Sequence, residues 1–267
     1  MSKIKDALKK AKAARQHAAA SPETRMPVAT REPPATVHHT RIINYSENAA
    51  KKHKLITPFL KDPALTERLK LLRTKVFTET HGKNERTILI TSTMRHEGKT
   101  FIAANLAITF AREVDQTVML VDANLQNPSV LKVFGIQAQQ GLSNYLLEDV
   151  PIPDLLIRPG IEKLVLLPAG KPAGKPVENS AELLRSLKMQ DLVREMKNRY
   201  GDRYIFFDAP AITSSVDAII LSQYVDKTLL VVESGKVKPE KLTAAINNLE
   251  KSKLLGTILN KTNPAML

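Results

Sequence analysis

A doubly wound, mostly parallel α/β sheet carrying a phosphate-binding loop is the fold class that this 267-residue sequence predicts. From Thr87 onward, short apolar β-rich runs alternate with helical stretches, the pattern of strands joined by helical crossovers. Two of the runs end in an acid: Val118-Met119-Leu120-Val121-Asp122 and Tyr204-Ile205-Phe206-Phe207-Asp208. A third, Thr87-Ile88-Leu89-Ile90-Thr91-Ser92, leads into His96-Glu97-Gly98-Lys99-Thr100, and a helical stretch follows from Phe101 to Ala111. Strand, loop and helix in that order are what a phosphate-binding loop requires.

Residues 1–17 read as a short basic amphipathic helix, with Ile4, Ala7, Leu8, Ala11 and Ala14 recurring at helical spacing between lysines. Two substantial apolar side chains would anchor it weakly on a membrane, so a partner-docking helix and a solvated arm both stay open. Residues 18–61 hold Pro22, Pro27, Pro33, Pro34 and Pro58 among Ala, Thr and His, the composition of a flexible linker. His38 and His39 belong to that linker rather than to a metal site, because His53 stands far off and no acids flank them.

The folded domain spans 62–267. Asp62-Pro63 resembles a helix N-cap followed by proline in the first turn, and Leu65, Leu69, Leu72 and Val76 mark the buried face of the helix it opens. Strands are expected at 87–92, 117–122, 163–167, 203–208, 227–232 and 256–260. Helices are expected near 99–113, 180–200, 215–223 and 238–252. Ligands of such sheets bind outside the carboxyl ends of the strands, where Ser92, Asp122 and Asp208 fall.

Composition narrows the function classes. The sequence has no cysteine, which excludes disulfides, thiolate metal sites and cysteine nucleophiles. No apolar run is long enough to cross a bilayer and none resembles a signal peptide, so a soluble cytoplasmic protein is expected. Of the formal charge of +13, residues 1–60 carry +8, from 12 Lys and Arg against 4 Asp and Glu. The basicity is thus mostly a property of the N-terminal arm, suited to an acidic partner or an anionic membrane surface. Aromatics are only 4% and tryptophan is absent, leaving few stacking platforms, so no nucleic acid is expected as a partner.

The chemistry concentrates at the loop. Arg95, His96, Glu97, Gly98, Lys99, Thr100 and Phe101 are expected to hold a nucleoside triphosphate, with main-chain N–H groups and Lys99 on phosphates and the Thr100 hydroxyl on Mg²⁺. Asp208 closes a strand beside the loop, where a carboxylate can hold Mg²⁺ through water. Asp122 closes the adjacent strand, where it can orient an attacking hydroxyl or accept its proton. Lys99, Asp122 and Asp208 are therefore the candidate catalytic residues, and Thr100, Asp122 and Asp208 the candidate metal ligands. The plain alternative for either acid is a helix N-cap at a strand end. The loop also departs from G-x-x-x-x-G-K-[ST], with Thr93 where the first glycine would stand.

Over residues 60–262 the sequence resembles the bacterial tyrosine kinases of capsule and exopolysaccharide production, which look like relatives of the cell-division and plasmid-partition ATPases. The likeness rests on Thr91-Ser92 through Glu97-Gly98-Lys99-Thr100 with Ala104-Asn105-Leu106-Ala107; on Leu120-Val121-Asp122-Ala123-Asn124-Leu125 with Pro128-Ser129; on Gly141-Leu142-Ser143 and Leu167-Pro168-Ala169-Gly170; and on Glu182-Leu183-Leu184, Phe207-Asp208-Ala209-Pro210, Asp217-Ala218, and Gly256 with Leu259-Asn260-Lys261. The resemblance implies ATP and Mg²⁺ as cofactors and adds Asn260 to the nucleotide-binding residues. Glu67, Lys70 and Arg73 are similar to the E-x-x-R-x-x-R helix through which family members contact one another in a ring, with Lys70 replacing an arginine.

Two departures bear on activity. The family's D-x-D-x-R reads Asp122, Asn124 and Gln126 here, removing a negative charge beside the metal position. Its C-terminal tyrosine cluster has no counterpart, Tyr224 being the last tyrosine of this sequence. The resemblance thus implies an ATP-dependent protein-tyrosine kinase, peripheral at the inner face of the plasma membrane, that regulates polysaccharide chain length or export with a membrane co-polymerase. A catalytically weak ATP-binding switch that regulates assembly of the same machinery is the alternative.

Overall fold

Eight strands form one sheet: β1 (Arg41–Ile42), β2 (Thr87–Ser92), β3 (Thr117–Asp122), β4 (Ile157–Arg158), β5 (Leu164–Leu167), β6 (Arg203–Asp208), β7 (Lys227–Glu233) and β8 (Leu254–Asn260). Their order is β1-β4-β5-β3-β6-β2-β7-β8, and every pairing is parallel except that of β4 with β5. This is a computed structural model, and it describes residues 40–262 apart from 114, 176 and 200. The expected helix of 1–17 and the first half of the expected linker lie outside the described residues.

The helices are α1 (Glu47–Lys52), α2 (Pro63–Thr80), α3 (Lys99–Ala111), α4 (Val130–Phe134), α5 (Leu142–Glu148), α6 (Ile152–Leu155), α7 (Ser180–Arg185), α8 (Leu187–Arg199), α9 (Asp217–Ser222) and α10 (Pro239–Asn247). They cover both faces of the sheet. On one face α3 is buried from Ile102 to Ala111, and Phe110 packs against Tyr204 and Phe206 with ring centroids 4.6 and 5.2 Å apart. A helix apolar on all sides suits only such a sandwiched position. On the other face Leu192, Val193 and Met196 of α8 and Leu221 of α9 meet Phe207, Leu89 and Val121. The central strands read as continuous apolar runs because both of their faces are covered.

All six expected strands form, with ends within about two residues of those read from the pattern. The helix expected over 180–200 is two helices. Ser186 turns extended between them, its Oγ donating to Leu183 O at 2.7 Å and accepting Met189 N–H at 3.2 Å, so one serine ends α7 and caps α8. The helix expected over 238–252 stops at Asn247, and a single 3₁₀ turn, Lys251–Lys253, follows.

The second half of the expected linker is folded. From Arg41 the chain pairs with β4, forms α1 behind an N-capping Ser46, and buries Ala50, Leu55 and Ile56. Asn105 of α3 fixes it there, Oδ1 accepting Ile56 N–H at 2.7 Å and Nδ2 donating to Lys54 O at 3.3 Å. The proline-rich composition belongs to residues 22–34. Leu55 and Ile56, too few to show a period, supply the apolar burial that makes 40–61 part of the domain.

Candidate nucleotide and metal site

Strand order places the functional residues. β6 lies between β2 and β3, with Asp208 in register with Asp122 on one side and Ile90 on the other. The loop after β2 therefore runs over the same strand ends that carry both acids. Gly98, at the N-cap of α3, has φ +93° and lies so close to β8 that a Cβ there would sit 2.2 Å from Asn260 Nδ2. Only glycine fits. His96 also takes a left-handed φ of +68° without being glycine.

Thr100, Asp208 and Ser129 meet beneath the loop. The Thr100 hydroxyl lies 2.6 Å from Asp208 Oδ2, to which it donates, and 2.9 Å from Ser129 Oγ. Asp122 Oδ2 accepts the N–H groups of Ser129 and Val130 at 2.8 and 2.9 Å, and Oδ1 accepts that of Asn124 at 3.2 Å. Asp122 thus holds the start of α4 as a capping acid does, and it also stands beside Asp208. The two readings of its position describe one residue.

Asp122 and Asp208 are 1% and 0% exposed. Burial, and for Asp122 the neighbouring Asp208 charge, push both carboxyls up, Asp122 to about 7, against the opposing pull of its three main-chain donors. Lys99 and the Thr100 hydroxyl draw Asp208 the other way. Asp208 Oδ1 is buried without a hydrogen-bond partner. An orphaned carboxylate oxygen, a hydroxyl and a second carboxylate with a raised pKa form a donor set short of a cation, and they fit Mg²⁺, which takes one or two protein carboxylates and completes its shell from phosphates and water. Among the described residues no group of three or more His, Cys, Asp and Glu could form an all-protein metal cage.

A cleft of about 870 Å³ opens over these strand ends. Arg95, His96, Gly98, Lys99, Thr100 and Phe101 line it, as does Asn124. Lys132, Lys171 and Lys261 line it too, and no carboxylate does, so its charge suits a polyanion. Glu97 is fully buried, its carboxylate accepting Met94 N–H at 2.6 Å and Glu233 N–H at 3.1 Å. Asn260 faces the loop backbone, its Nδ2 donating to Glu97 O at 2.8 Å. Asp122 and Asp208 sit under the floor, which Thr100 spans. Ser129, Lys132 and Lys171, which the sequence does not mark as candidate site residues, also line the cleft. Ser129 carried a readable signal, a capping residue before the apolar run Val130-Leu131; Lys132 and Lys171 carried none, being isolated lysines in separate loops and helices.

No family model matches the chain. It is 34% identical over 198 residues to tyrosine-protein kinase YwqD of Bacillus subtilis, an alignment covering 73% of this chain and 80% of that one. The chain belongs to the bacterial tyrosine-kinase family. It is also 30% identical to tyrosine-protein kinase CpsD of Streptococcus agalactiae, covering 69% of this chain and 78% of that relative. Among solved structures, the VpsO kinase domain superposes with a TM-score of 0.66 at 28% identity, covering 74% of this chain and 96% of that domain. The cell-division ATPase MinD of Pyrococcus furiosus shares the fold, with a TM-score of 0.55 over 66% of this chain and 71% of that one.

Glu67, Lys70 and Arg73, the stripe that the resemblance implies, lie along α2. The structure divides the stripe. Lys70 pairs with Glu67 at 2.7 Å on the exposed face of α2, whereas Arg73 is ion-paired to Glu113 at the end of α3, in the same chain. Leu69 and Val76 are buried, with Leu65 and Leu72 packed partly against the same core.

Proposed function

We propose that this bacterial tyrosine kinase uses ATP and Mg²⁺ to phosphorylate tyrosine on a protein, and that it works with a membrane co-polymerase in setting polysaccharide chain length or export. The observation that carries the reading is the convergence of Lys99, Thr100, Asp122 and Asp208 on one set of strand ends. The basic cleft above them supports it. The partnership draws support from the succinoglycan biosynthesis transport protein ExoP of Rhizobium meliloti, 34% identical over 185 residues that make up 68% of this chain and 23% of that protein.

In this reading the loop backbone and Lys99 hold the phosphates and orient the terminal one. Thr100 and Asp208 would hold Mg²⁺, which supplies charge neutralisation across the phosphates when bound. Asp122, its carboxyl raised to about 7, is assigned the proton of the tyrosine hydroxyl, a role that requires the floor over it to open to the substrate. Lys132 and Lys171, on the same cleft, add to the positive field. Tyr204 is not the acceptor: it is 1% exposed and its hydroxyl is bonded to Thr80 at 3.0 Å. The acceptor belongs to another protein or to a tyrosine nearer the surface, such as Tyr45, Tyr145 or Tyr224.

A second reading, an ATP-binding switch with little catalysis, is favoured by Asn124 and by the three main-chain donors already bonded to Asp122. Incubation with γ-labelled ATP and Mg²⁺, with and without the cytoplasmic segment of the co-polymerase, followed by phosphotyrosine mapping, separates the two. Label on tyrosine that Lys99→Met abolishes supports the kinase; ATP binding without label under either condition supports the switch.

A further inference from the structure

We propose that Glu97 and Lys261 are positioning residues, which hold the phosphate loop in its binding shape by tying it to the C-terminal ends of β7 and β8. The proposal rests on the nucleotide-binding part of the reading above and goes beyond it, because neither carboxylate involved lines the cleft.

The loop needs an external hold. Thr93 replaces the glycine that usually opens it, and His96 sits at φ +68°, a conformation disfavoured for any residue with a Cβ. The chain supplies the hold from outside. Glu97 Oε2 accepts the N–H of Met94, within the loop, while Oε1 accepts the N–H of Glu233, the last residue of β7. One buried carboxylate therefore fastens the loop to the neighbouring strand. The Glu97 carbonyl accepts the Asn260 amide at 2.8 Å, and Lys261 Nζ donates to His96 O at 2.7 Å and to Glu233 Oε2 at 3.1 Å. Met94, His96 and Glu97 are thus each anchored, with Gly98 allowing Asn260 its close approach.

A carboxylate is the side chain this geometry requires. Two main-chain N–H groups converge on it, and both need acceptors. Glutamine has the same shape but turns an NH₂ group toward one of those donors, so one bond is lost and two donors are opposed inside a dry site. Glu233 has a separate part. Its main-chain N–H serves Glu97, and its side chain holds the Lys261 ammonium over His96 O, so Glu233→Gln weakens the lysine's anchor while leaving the Glu97 bond in place.

The test uses the full chain with Glu97→Gln and Glu233→Gln, read by calorimetry with Mg-ATP and by hydrogen exchange of residues 92–99 without nucleotide. Glu97→Gln is expected to weaken ATP binding about tenfold and to speed exchange across the loop, with β3 and β6 unchanged. Glu233→Gln is expected to give a smaller loss in the same direction. A merely structural glutamate would lower the melting temperature without a selective change in loop exchange, and that outcome overturns the proposal. So does wild-type affinity and loop exchange in both variants. If the wild-type protein binds no ATP, the nucleotide reading fails, while faster loop exchange in Glu97→Gln still supports the clamp. Should Glu97→Gln not fold, Glu233→Gln decides by the same two measurements.

Discussion

The Thr100 hydroxyl donates to Asp208 Oδ2 at 2.6 Å, while Oδ1 of the same carboxyl is buried without a hydrogen-bond partner among the described residues. One oxygen of the acid is thus satisfied by the protein and the other is left for something else. A buried acceptor without a donor is costly in a fold that otherwise pairs its polar groups, and such groups concentrate where a ligand completes them. Asp122 stands beside this carboxyl with both oxygens bonded to main-chain N–H groups. The two acids of the site therefore divide the work: Asp122 is fixed in place, and Asp208 is poised.

In the proposed reading Lys99, which lines the cleft, meets the charge of the terminal phosphates. Lys99→Met is expected to abolish triphosphate binding, because the loop's main-chain donors alone would then face the β- and γ-phosphates. Calorimetry with Mg-ATP checks this. Unchanged affinity in the variant would remove the central claim about the site.

The paired acids set a pH dependence. A carboxyl near 3.8 in the unfolded chain and at about 7 in the fold for Asp122 disfavours the folded state as soon as the unfolded chain's carboxyl ionises. Its contribution is most favourable below pH 4 and is lost as pH rises toward 7. Asp208→Asn keeps the acceptor for Thr100 and removes the charge facing Asp122, so it should raise the stability of the metal-free protein at pH 8 by on the order of 2 kcal/mol, roughly 5 °C. The gain should shrink at pH 4.5, and the variant should lose Mg²⁺ affinity. Thermal melts at both pH values, without Mg²⁺, check the sign; a variant less stable than wild type at pH 8 would contradict it. In the wild type, Mg²⁺ affinity should rise with pH, since burial holds the Asp208 carboxyl above its ordinary value and a bound carboxylate must be ionised.

Asn124 lines the cleft beside these acids, and its Oδ1 accepts Asn127 N–H at 3.3 Å, a bond an aspartate would keep. Restoring the charge with Asn124→Asp should tighten the Mg²⁺ dependence of turnover several-fold if the neutral side chain weakens the site. Steady-state rates over a Mg²⁺ titration give the answer. No gain, or a loss, would mean that the surroundings have adapted to asparagine. Gln126 makes adaptation concrete: where the family pattern has arginine, its amide donates to Ser180 Oγ at 3.0 Å, which in turn donates to the buried Asp217 at 2.6 Å.

Much of this was legible in the sequence, and the limits have physical causes. The central strands could be read because parallel strands covered on both faces are uninterrupted apolar runs, and the acids that close β3 and β6 stand out against them. Short elements could not: β1 and β4 have two residues each, a single turn of strand alternation with no repeat to read. Lys132 and Lys171 reach the cleft only through the crossover topology, which brings the ends of distant segments together. Glu97 is expected at the nucleotide from its place in the loop, but its inward direction depends on Glu233, more than a hundred positions away.

The folded stretch 40–61 is held by Asn105, whose side chain satisfies Ile56 N–H and also donates to Lys54 O and Phe101 O. Asn105→Ala leaves a buried N–H unpaired, a loss of about 1–3 kcal/mol concentrated on that segment. Trypsin should then cut at Lys51, Lys52 and Lys54 well before the domain unfolds globally, as followed by mass spectrometry. Cleavage there at the wild-type rate would show that the buried Leu55 and Ile56 hold the segment without the amide.

Assembly into a ring through α2, which the resemblance implies, turns on the ion pair between Arg73 and Glu113. In a single chain Arg73 is already engaged, with its side chain 23% exposed, while Glu67 and Lys70 pair with each other at the surface. An exposed pair of that kind contributes little by itself, so a neighbouring subunit must offer Arg73 a better partner than Glu113 if the ring is to form. Light scattering with ATP and Mg²⁺ should then show a ring-sized species that Glu67→Ala with Arg73→Ala converts to monomer without unfolding. Glu113→Ala supplies the opposite test: by releasing Arg73 within the chain it should shift the equilibrium toward the ring. A protein that stays monomeric at every concentration, with and without the proposed membrane co-polymerase, and is unmoved by Glu113→Ala, would leave the pair as an internal brace between α2 and α3.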